Sequence, residues 1–544
     1  MKSSGIRALE RNANEGSIKS AFQLFEYYTI GKFVDKNPDL AKKYSDIVFH
    51  AVKNSAFKVS SLTLKNFKSF SDLQISICDG GMSDQLTVFS GLNGAGKSTV
   101  LDAISKSLSW ISYRLVAPKS TGESIDFFEI HSFSDYATII ANIDLGGEKF
   151  QIDLSKSSAE NPVQKSSVLA EFSLVSDIYR HLISIDRSLN LPIIAFYGVE
   201  RAVDVSNRDE RVDDALSGGR QERFDGYKKA LTGSADFKLF FKWFKYHQDV
   251  ANSSGANSLK KIRAVEAKAK KLTETIEKLE RSDTPNGSLL LLLNKVLDSH
   301  RKEIDSINSG VSSNNSDFSA RVLRVVTDAI SVFLPDFSNF RIQYEPFVGM
   351  IVDKNGVSLS VQQLSQGEKS LLALIADIAR RLVLLNPSLD NPLMGNGIVM
   401  IDEVDLHLHP AWQQRIIIDL RRTFPNIQFI ISTHSPQVLS TVPKECIRTL
   451  GKGIDGKDVA ATPKSFSYGM PSNDVMEAIM HVNPQPPVPE EIQLKELTNL
   501  VDQGLYGSDR ALALLGALKS VLTEKHPQLE KIERSIRRQE ALKR

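Results

Sequence analysis

An α/β fold built on a mainly parallel sheet is predicted by three stretches of the sequence. The first is Gly91-Leu92-Asn93-Gly94-Ala95-Gly96-Lys97-Ser98-Thr99, entered from the apolar run Leu86-Thr87-Val88-Phe89 and left with helical spacing through Val100, Leu101 and Ile104. Strand, glycine loop and helix in that order make a phosphate-binding loop. The second is Ile398-Val399-Met400-Ile401-Asp402-Glu403, four apolar residues and then two carboxylates. The third is Gln428-Phe429-Ile430-Ile431-Ser432, which ends in Thr433-His434-Ser435-Pro436. Uninterrupted apolar runs of this length suit strands covered by helices on both faces, as in parallel sheets. Ligands of such sheets gather at the carboxyl ends of the strands, where all three polar sequences fall.

At 544 residues the chain exceeds a single core, and about three to four structural units are expected. A net charge of +2 is near balance, so composition points to neither a nucleic-acid binder nor a membrane-surface protein. Cys78 and Cys446 stand apart and no C-x-x-C occurs, which excludes a disulfide framework and a cysteine zinc site. No apolar run approaches the roughly 18 residues of a membrane span. A cytoplasmic protein with no membrane partner is expected.

Residues 1–56 read as helices. Ala21, Leu24, Tyr28, Gly31, Asp35, Ala41, Tyr44 and Ala51 resemble one copy of a Sel1-like helical repeat, with Gly31 to Asp35 as the turn between its helices. A lone repeat cannot bury its own apolar face and needs a neighbour to pack on. A plain helical hairpin leaning on the next domain is the alternative. From Lys58 the period changes: Val59 to Leu64 and Leu73 to Ile77 alternate as half-buried strands do. They bracket Asn66-Phe67-Lys68-Ser69-Phe70. Further strands are expected at Ala137 to Leu145, Phe150 to Leu154 and Leu191 to Tyr197, the last ending in Gly198-Val199-Glu200-Arg201.

From about 236 to 310 the chain reads as helical. Phe237, Phe240, Phe241, Trp243 and Phe244 make a dense aromatic face, read as a helix packed into a core rather than a base-stacking platform. Lys260 to Arg281 and Leu289 to Leu297 suggest a short helical hairpin, and Ser309 to Ser316 a polar loop. Strands resume at Phe340 to Tyr344 and Gly349 to Val352. Pro484, Pro486, Pro487 and Pro489 mark a stiff linker, followed by a helical tail with a basic end. A tail face of Leu512, Leu515 and Leu518 is expected to lie in a partner's groove.

The chemistry assigns roles. Asn93, Gly94, Gly96, Lys97, Ser98 and Thr99 form the nucleotide cradle: glycines let backbone N–H groups curl round phosphates, and the helix start adds its positive dipole end. Lys97 reaches the β- and γ-phosphates, and the Ser98 hydroxyl takes a place on Mg²⁺. Asp402 completes the metal shell, and Glu403 is placed to polarise an attacking water. His434, after a buried strand in this company, is read as a γ-phosphate sensor rather than a structural histidine. In Leu364-Ser365-Gln366-Gly367-Glu368-Lys369-Ser370, Ser365 and Gly367 offer a hydroxyl and a close backbone approach at a helix start, a second anion site. Leu216-Ser217-Gly218-Gly219 has a similar spelling but sits in a polar loop and starts no periodic helix, so it is set aside.

In order and spacing these motifs resemble the ABC-type ATPase heads, with Leu364 to Ser370 as the signature. The resemblance implies ATP and Mg²⁺ as ligands, catalysis by Glu403, His434, Asp402 and Lys97, and a homodimer in which each signature meets the nucleotide of the other subunit. The glutamine loop of that family has no clear counterpart, and Gln151 is a candidate by distance alone. Asp402 to Pro410 followed by Trp412-Gln413, with Leu62 to Phe70 as the head opening, is similar to the RecF-, Rad50- and OLD-like branch. His407 and His409 invite a metal reading, but the branch uses this stretch as a dimer-contact loop.

Over most of its length the sequence resembles the PtuA-type ATPases of Septu and retron anti-phage systems. That resemblance implies a sensor and scaffold controlling a separate HNH nuclease subunit (PtuB-like). In the retron form a reverse transcriptase with its RNA and single-stranded DNA is added, and assembly can exceed the dimer. Two other readings are a RecF/Rad50-like repair ATPase acting on DNA ends and an OLD-like ATPase-nuclease. The first would bring a zinc-hook C-x-x-C and long arms, and the second a carboxylate cluster after the ATPase; neither is seen. The organisation expected is a Sel1-like helical segment (1–56), ATPase lobe I with the phosphate loop (57–235) and a helical insertion (236–320). ATPase lobe II with signature, carboxylates and histidine (321–483) follows, then the linker and docking tail (484–544).

Overall fold

The computed structural model describes residues 4–542 except 54, 133, 159–164, 203–222, 236, 347, 485–486 and 524, and except 253–312 apart from short helical pieces between 270 and 298. The set-aside Leu216-Ser217-Gly218-Gly219 lies outside the described residues, as does most of the expected hairpin at Lys260 to Leu297. The chain divides into a large unit, residues 1–470, and a small one, residues 471–544.

Three helices open the large unit: α1 (Ser4–Asn14), α2 (Ile18–Ile30) and α3 (Pro38–Lys53). Ser17 caps α2, and Gly31 at φ 84° ends it in the left-handed conformation that a side chain would strain. Ala21, Leu24, Tyr28 and Tyr44 are buried. The neighbour that covers this face is the rest of the large unit. Glu148 accepts from the Ser17 hydroxyl and the Lys19 N–H, both at 3.0 Å, and Ser45 pairs with His181 at 2.8 Å.

The first sheet is antiparallel, order β2-β1-β4-β5, from β1 (Phe57–Phe67), β2 (Phe70–Ser76), β4 (Tyr136–Leu145) and β5 (Glu148–Ser157). Its alternating buried positions match the expected period of two. The main sheet has order β13-β12-β3-β11-β10-β6. Here β3 (Leu86–Ser90), β6 (Ile193–Tyr197), β10 (Gly397–Ile401), β11 (Ile427–Ser432) and β12 (Ile447–Lys452) run parallel, and β13 (Asp458–Ala461) closes one edge antiparallel. Strands β3, β10 and β11 are buried at every position, which is why they read as runs rather than alternations. Strands β12 and β13 were not expected. Both are short, and β12 carries a buried Arg448 paired with Asp79, a residue that masks a strand signal.

Helix α4 (Lys97–Val116) follows β3, and α5 (Ala170–Ile185), also unexpected, packs on it. In helix α6 (237–252), Phe237, Phe240, Trp243 and Phe244 are all core, as preferred over a stacking platform. Helix α7 (Ser313–Phe333) runs through part of the expected polar loop. A three-stranded sheet of β7 (Phe337–Gln343), β8 (Gly349–Lys354) and β9 (Val357–Ser360) then leads to α8 (Gln366–Leu385). Short helices α9 (Pro410–Gln413), α10 (Ile416–Thr423) and α11 (Pro436–Leu439) complete the unit.

The small unit holds α12 (Ser472–Ala478), α13 (Glu491–Asp502), α14 (Asp509–Leu522) and α15 (Pro527–Leu542). Its last three helices share a core of Leu494, Leu497, Val501, Ala511, Leu514, Leu518, Leu529 and Ile532. This corrects the expected tail face. Leu518 is fully buried and Leu515 packs against that core, leaving only Leu512 of the three exposed. The inward stripe is Ala511-Leu514-Leu518, which keeps Leu518 and lies one position before Leu512 and Leu515. Among the described residues, no helix is long and apolar enough to cross a membrane.

A candidate nucleotide site at the carboxyl edge of the parallel sheet

Strands β3, β11 and β10 are neighbours in one parallel sheet. Phe89 pairs with Ser432, and Ile401 with Ile431. Their carboxyl ends therefore fall level, and the phosphate loop, the His434 turn and the Asp402-Glu403 pair leave one edge side by side. The sequence expectation of one site from three distant motifs rests on this register.

In the loop, Asn93 and Gly94 are exposed at the crest, Ser98 is exposed on the first turn of α4, and Thr99 is half-buried. Helix α4 starts at Gly96, φ 90°, with no side-chain cap. Its first N–H groups are thus presented to an anion instead of being satisfied by a serine or aspartate. Lys97 is 5% exposed and its ammonium donates to Gly91 O at 3.0 Å and Leu92 O at 3.1 Å, bridging the loop. Burial pulls this lysine below its ordinary pKa, against the opposing charges of Glu403, Asp402 and Asp405.

Gly96 is required twice over. Besides its positive φ, a Cβ there would stand 2.2 Å from the Phe70 ring. Phe70 belongs to the Asn66-Phe67-Lys68-Ser69-Phe70 turn between β1 and β2, in which Asn66 and Lys68 both take φ 50°. Lys68 in turn pairs with Asp102 of α4 at 2.6 Å and with Glu129 at 3.2 Å. The head-opening motif is thereby explained as a brace: one aromatic ring and one ammonium fix the start of α4. Gly96→Ala is expected to weaken ATP binding by about tenfold or more, about 1.4 kcal/mol. Adding Phe70→Ala should restore only part of the loss, because the strained φ persists; fluorescent-nucleotide titration measures both.

Asp402 is 4% exposed and accepts a short hydrogen bond from the Ser432 hydroxyl. Ser432 Oγ in turn accepts the Glu403 N–H at 2.8 Å. The Asp402 N–H goes to Tyr197 O at 2.8 Å and the Val404 N–H to Ser432 O at 3.0 Å. This clamp holds Glu403 at φ 45°, a conformation that costs about 1–3 kcal/mol and is concentrated at functional sites. Asp405 accepts from the Thr433 hydroxyl at 2.5 Å and from the His434 N–H at 3.4 Å. Gln413 donates to Leu408 O at 2.9 Å and accepts from the Ser435 hydroxyl at 2.8 Å. Ser432, Asp405 and Gln413 are the residues that sequence reasoning missed as site members. Gln413 and Asp405 lay in a quoted motif, but no spacing rule announces Ser432.

Ser365 caps α8 and shares a reciprocal capping box with Glu368. Gly367 makes its close approach within the chain: a Cβ there would lie 2.4 Å from His407 O and 3.5 Å from the Trp412 ring. The signature turn thus packs on the loop that follows Glu403, which also accounts for the Trp412-Gln413 pair. His409 caps α9 through its ring nitrogen, with Ala411 N–H donating at 3.3 Å. Gln151 lies mid-strand in β5, its N–H donated to Glu171. Behind the site, Asp377 of α8 is fully buried between Arg380 at 2.6 Å and Arg381 at 2.7 Å and accepts the Tyr197 hydroxyl at 2.9 Å.

A glycine cradle at an uncapped helix start, oxygen donors on Ser98 and Asp402 of the kind that suit a hard cation, and a level strand edge that brings them together are the arrangement of a P-loop ATPase domain. A family described as "AAA domain, putative AbiEii toxin, Type IV TA system" matches residues 86–440. The chain is 38% identical to the "Retron Ec83 probable ATPase" of Escherichia coli, over 94% of this chain and 92% of that one. It is 34% identical to the "Retron Vc95 probable ATPase" of Vibrio cholerae serotype O1 biovar El Tor, over 91% and 93%. A shorter match, 40% identical over 14% of this chain and 10% of the other, is to the "Septu protein PtuA" of Bacillus mycoides. The chain belongs to this AAA-domain family and to the family of the Ec83 and Vc95 retron probable ATPases.

Proposed function

We propose that this protein binds and hydrolyses ATP at composite sites in a homodimer and serves as sensor and scaffold of an anti-phage defence complex. In this reading nucleic acid is cut by a separate HNH nuclease subunit, and a reverse transcriptase with its RNA and single-stranded DNA joins the assembly. The observation that carries the ATPase part is the level register of β3, β11 and β10, which gathers Lys97, Asp402, Glu403 and His434 at one edge. Family membership supports the defence setting.

The residues divide the work. The backbone of Asn93 to Thr99 and the Lys97 ammonium hold the phosphates. Ser98 and Asp402 would hold Mg²⁺, which when bound offsets the negative charge of the β- and γ-phosphates. Glu403, fixed through its N–H by Ser432, accepts a proton from the attacking water. His434, whose N–H is fastened to Asp405, reads the γ-phosphate end. Ser365 and Gly367 start a helix whose neighbours are the His407 loop and the β8–β9 hairpin, and the composite reading sends that helix start to the nucleotide of the second subunit.

The composite site is tested by mixing. Lys97→Ala chains lack a working phosphate loop, and Ser365→Arg chains lack a working signature. Each mixed dimer would contain one intact site, so the mixture should regain about half of the wild-type activity per mixed dimer while each variant alone is inactive. Mixed dimers that form and stay inactive would end the composite reading. Division of labour is tested with the purified chain and Mg²⁺: degradation of DNA or RNA, lost on changing a carboxylate of this chain, would overturn it.

A further inference from the structure

The signature turn carries a carboxylate where an anion is to dock. Glu368 is 5% exposed and sits in the first turn of α8. Its Oε2 accepts both the Ser365 N–H and the Ser365 hydroxyl at 2.8 Å. Two consequences follow. The positive end of the helix is already answered by an ionised side chain, so an arriving phosphate meets like charge. The single proton of the Ser365 hydroxyl is also committed to Glu368 and is not offered outward.

A lysine from the small three-stranded sheet addresses the first. Lys354, at the end of β8, places its ammonium 2.5 Å from Glu368 Oε1 and 5.6 Å from the centre of the Phe337 ring. Its neighbour Asp353 is held by Arg341 at 2.9 Å, Asn339 at 2.8 Å and Ser358 at 2.6 Å, so the hairpin end is firmly set. At the other end of this small sheet, Gln248 of α6 accepts the Ile342 N–H at 2.7 Å and donates to Ile342 O at 3.2 Å. The lysine is thus presented by a stiff element, not by a free surface chain.

We infer that Lys354 is a positioning residue of the composite site, acting through Glu368 to neutralise the signature turn so that the phosphate of the other subunit's nucleotide can dock there. This rests on the composite-dimer reading proposed above. Without Lys354 the carboxylate stays unbalanced beside an incoming polyanion, and like-charge juxtaposition at an interface is costly.

The test separates docking from nucleotide binding. In a Glu403→Gln background, ATP-driven dimerisation is followed by sedimentation and ATP binding to the monomer by titration. Lys354→Met should weaken dimerisation by about tenfold or more and leave monomer affinity unchanged. Lys354→Arg should recover most of the loss, and high salt should narrow the gap between Lys354→Met and the parent. Lys354→Met should cost much less when Glu368→Gln is also present, because the charge it balances is then gone. An undiminished cost in that background overturns the inference. With Glu403 intact, Lys354→Met is also mixed with Lys97→Ala. Regained activity is expected, because the one intact phosphate loop then faces an intact signature. If Ser365→Arg recovers with Lys97→Ala but Lys354→Met does not, Lys354 acts on its own subunit's nucleotide and the inference fails. If neither recovers, the composite reading itself falls and takes this inference with it.

Discussion

Glu403→Gln should lower ATP turnover by about 10²–10⁴-fold, the contribution of a positioned proton acceptor, while ATP still binds and dimers holding uncleaved nucleotide accumulate. The substitution keeps the side chain's shape. The main-chain clamp on this residue runs through its N–H to Ser432 and through the flanking Asp402 and Val404 N–H groups, none of which the change touches. Phosphate release at saturating ATP measures the first part, and size-exclusion chromatography with retained nucleotide the second. An unchanged rate would remove Glu403 from its role. Failure to bind ATP would mean that the carboxylate contributes to the cradle instead.

The second large effect is on stability. Asp377→Ala should destabilise the large unit by about 3–5 kcal/mol, because it leaves two arginines buried without their partner. Arg380 and Arg381 are 3% and 0% exposed, and Arg381 keeps the neutral acceptors Gly226 O at 2.7 Å and Lys228 O at 3.1 Å, neither of which balances its charge. Burial alone would raise the Asp377 pKa. The charges of Arg381 and Arg380 more than reverse this and hold it at about 2. A depressed folded-state value stabilises the fold above the unfolded pKa of about 3.9, and the contribution is lost as pH falls from there through about 2. Denaturant midpoints measured at neutral pH should separate wild type from Asp377→Ala clearly, and the separation should shrink as the pH is lowered into that window. A constant separation would place the effect in packing.

The main sheet and the site were readable in the sequence for the same reason. Strands buried on both faces are mostly apolar and do not alternate, so Leu86 to Phe89, Ile398 to Ile401 and Gln428 to Ser432 stood out despite the buried Thr87 and Gln428, and the polar residues that end them had to share an edge. What escaped was set by tertiary contacts. Strand β12 hides a cation because Asp79, far away in the chain, balances Arg448. Ser432 looked like the last residue of a strand, and only the level pairing of β10 with β11 turns its hydroxyl into a link between two carboxylate-bearing positions. The tail leucines were misassigned because three neighbouring leucines fit a helical stripe almost equally well, and the choice among them is made by α13 and α15.

The phosphate loop, the carboxylate pair and the histidine turn leave adjacent strands about 4.8 Å apart. The carboxylate pair and the histidine turn are also tied sideways by Ser432, Asp405 and Gln413. Such an edge behaves as one plate with little slack chain to order or release when a phosphate arrives or departs. On the proposed reading of a sensor, the arrival of a phosphate is passed on as a tilt of this plate rather than by the ordering of a loop.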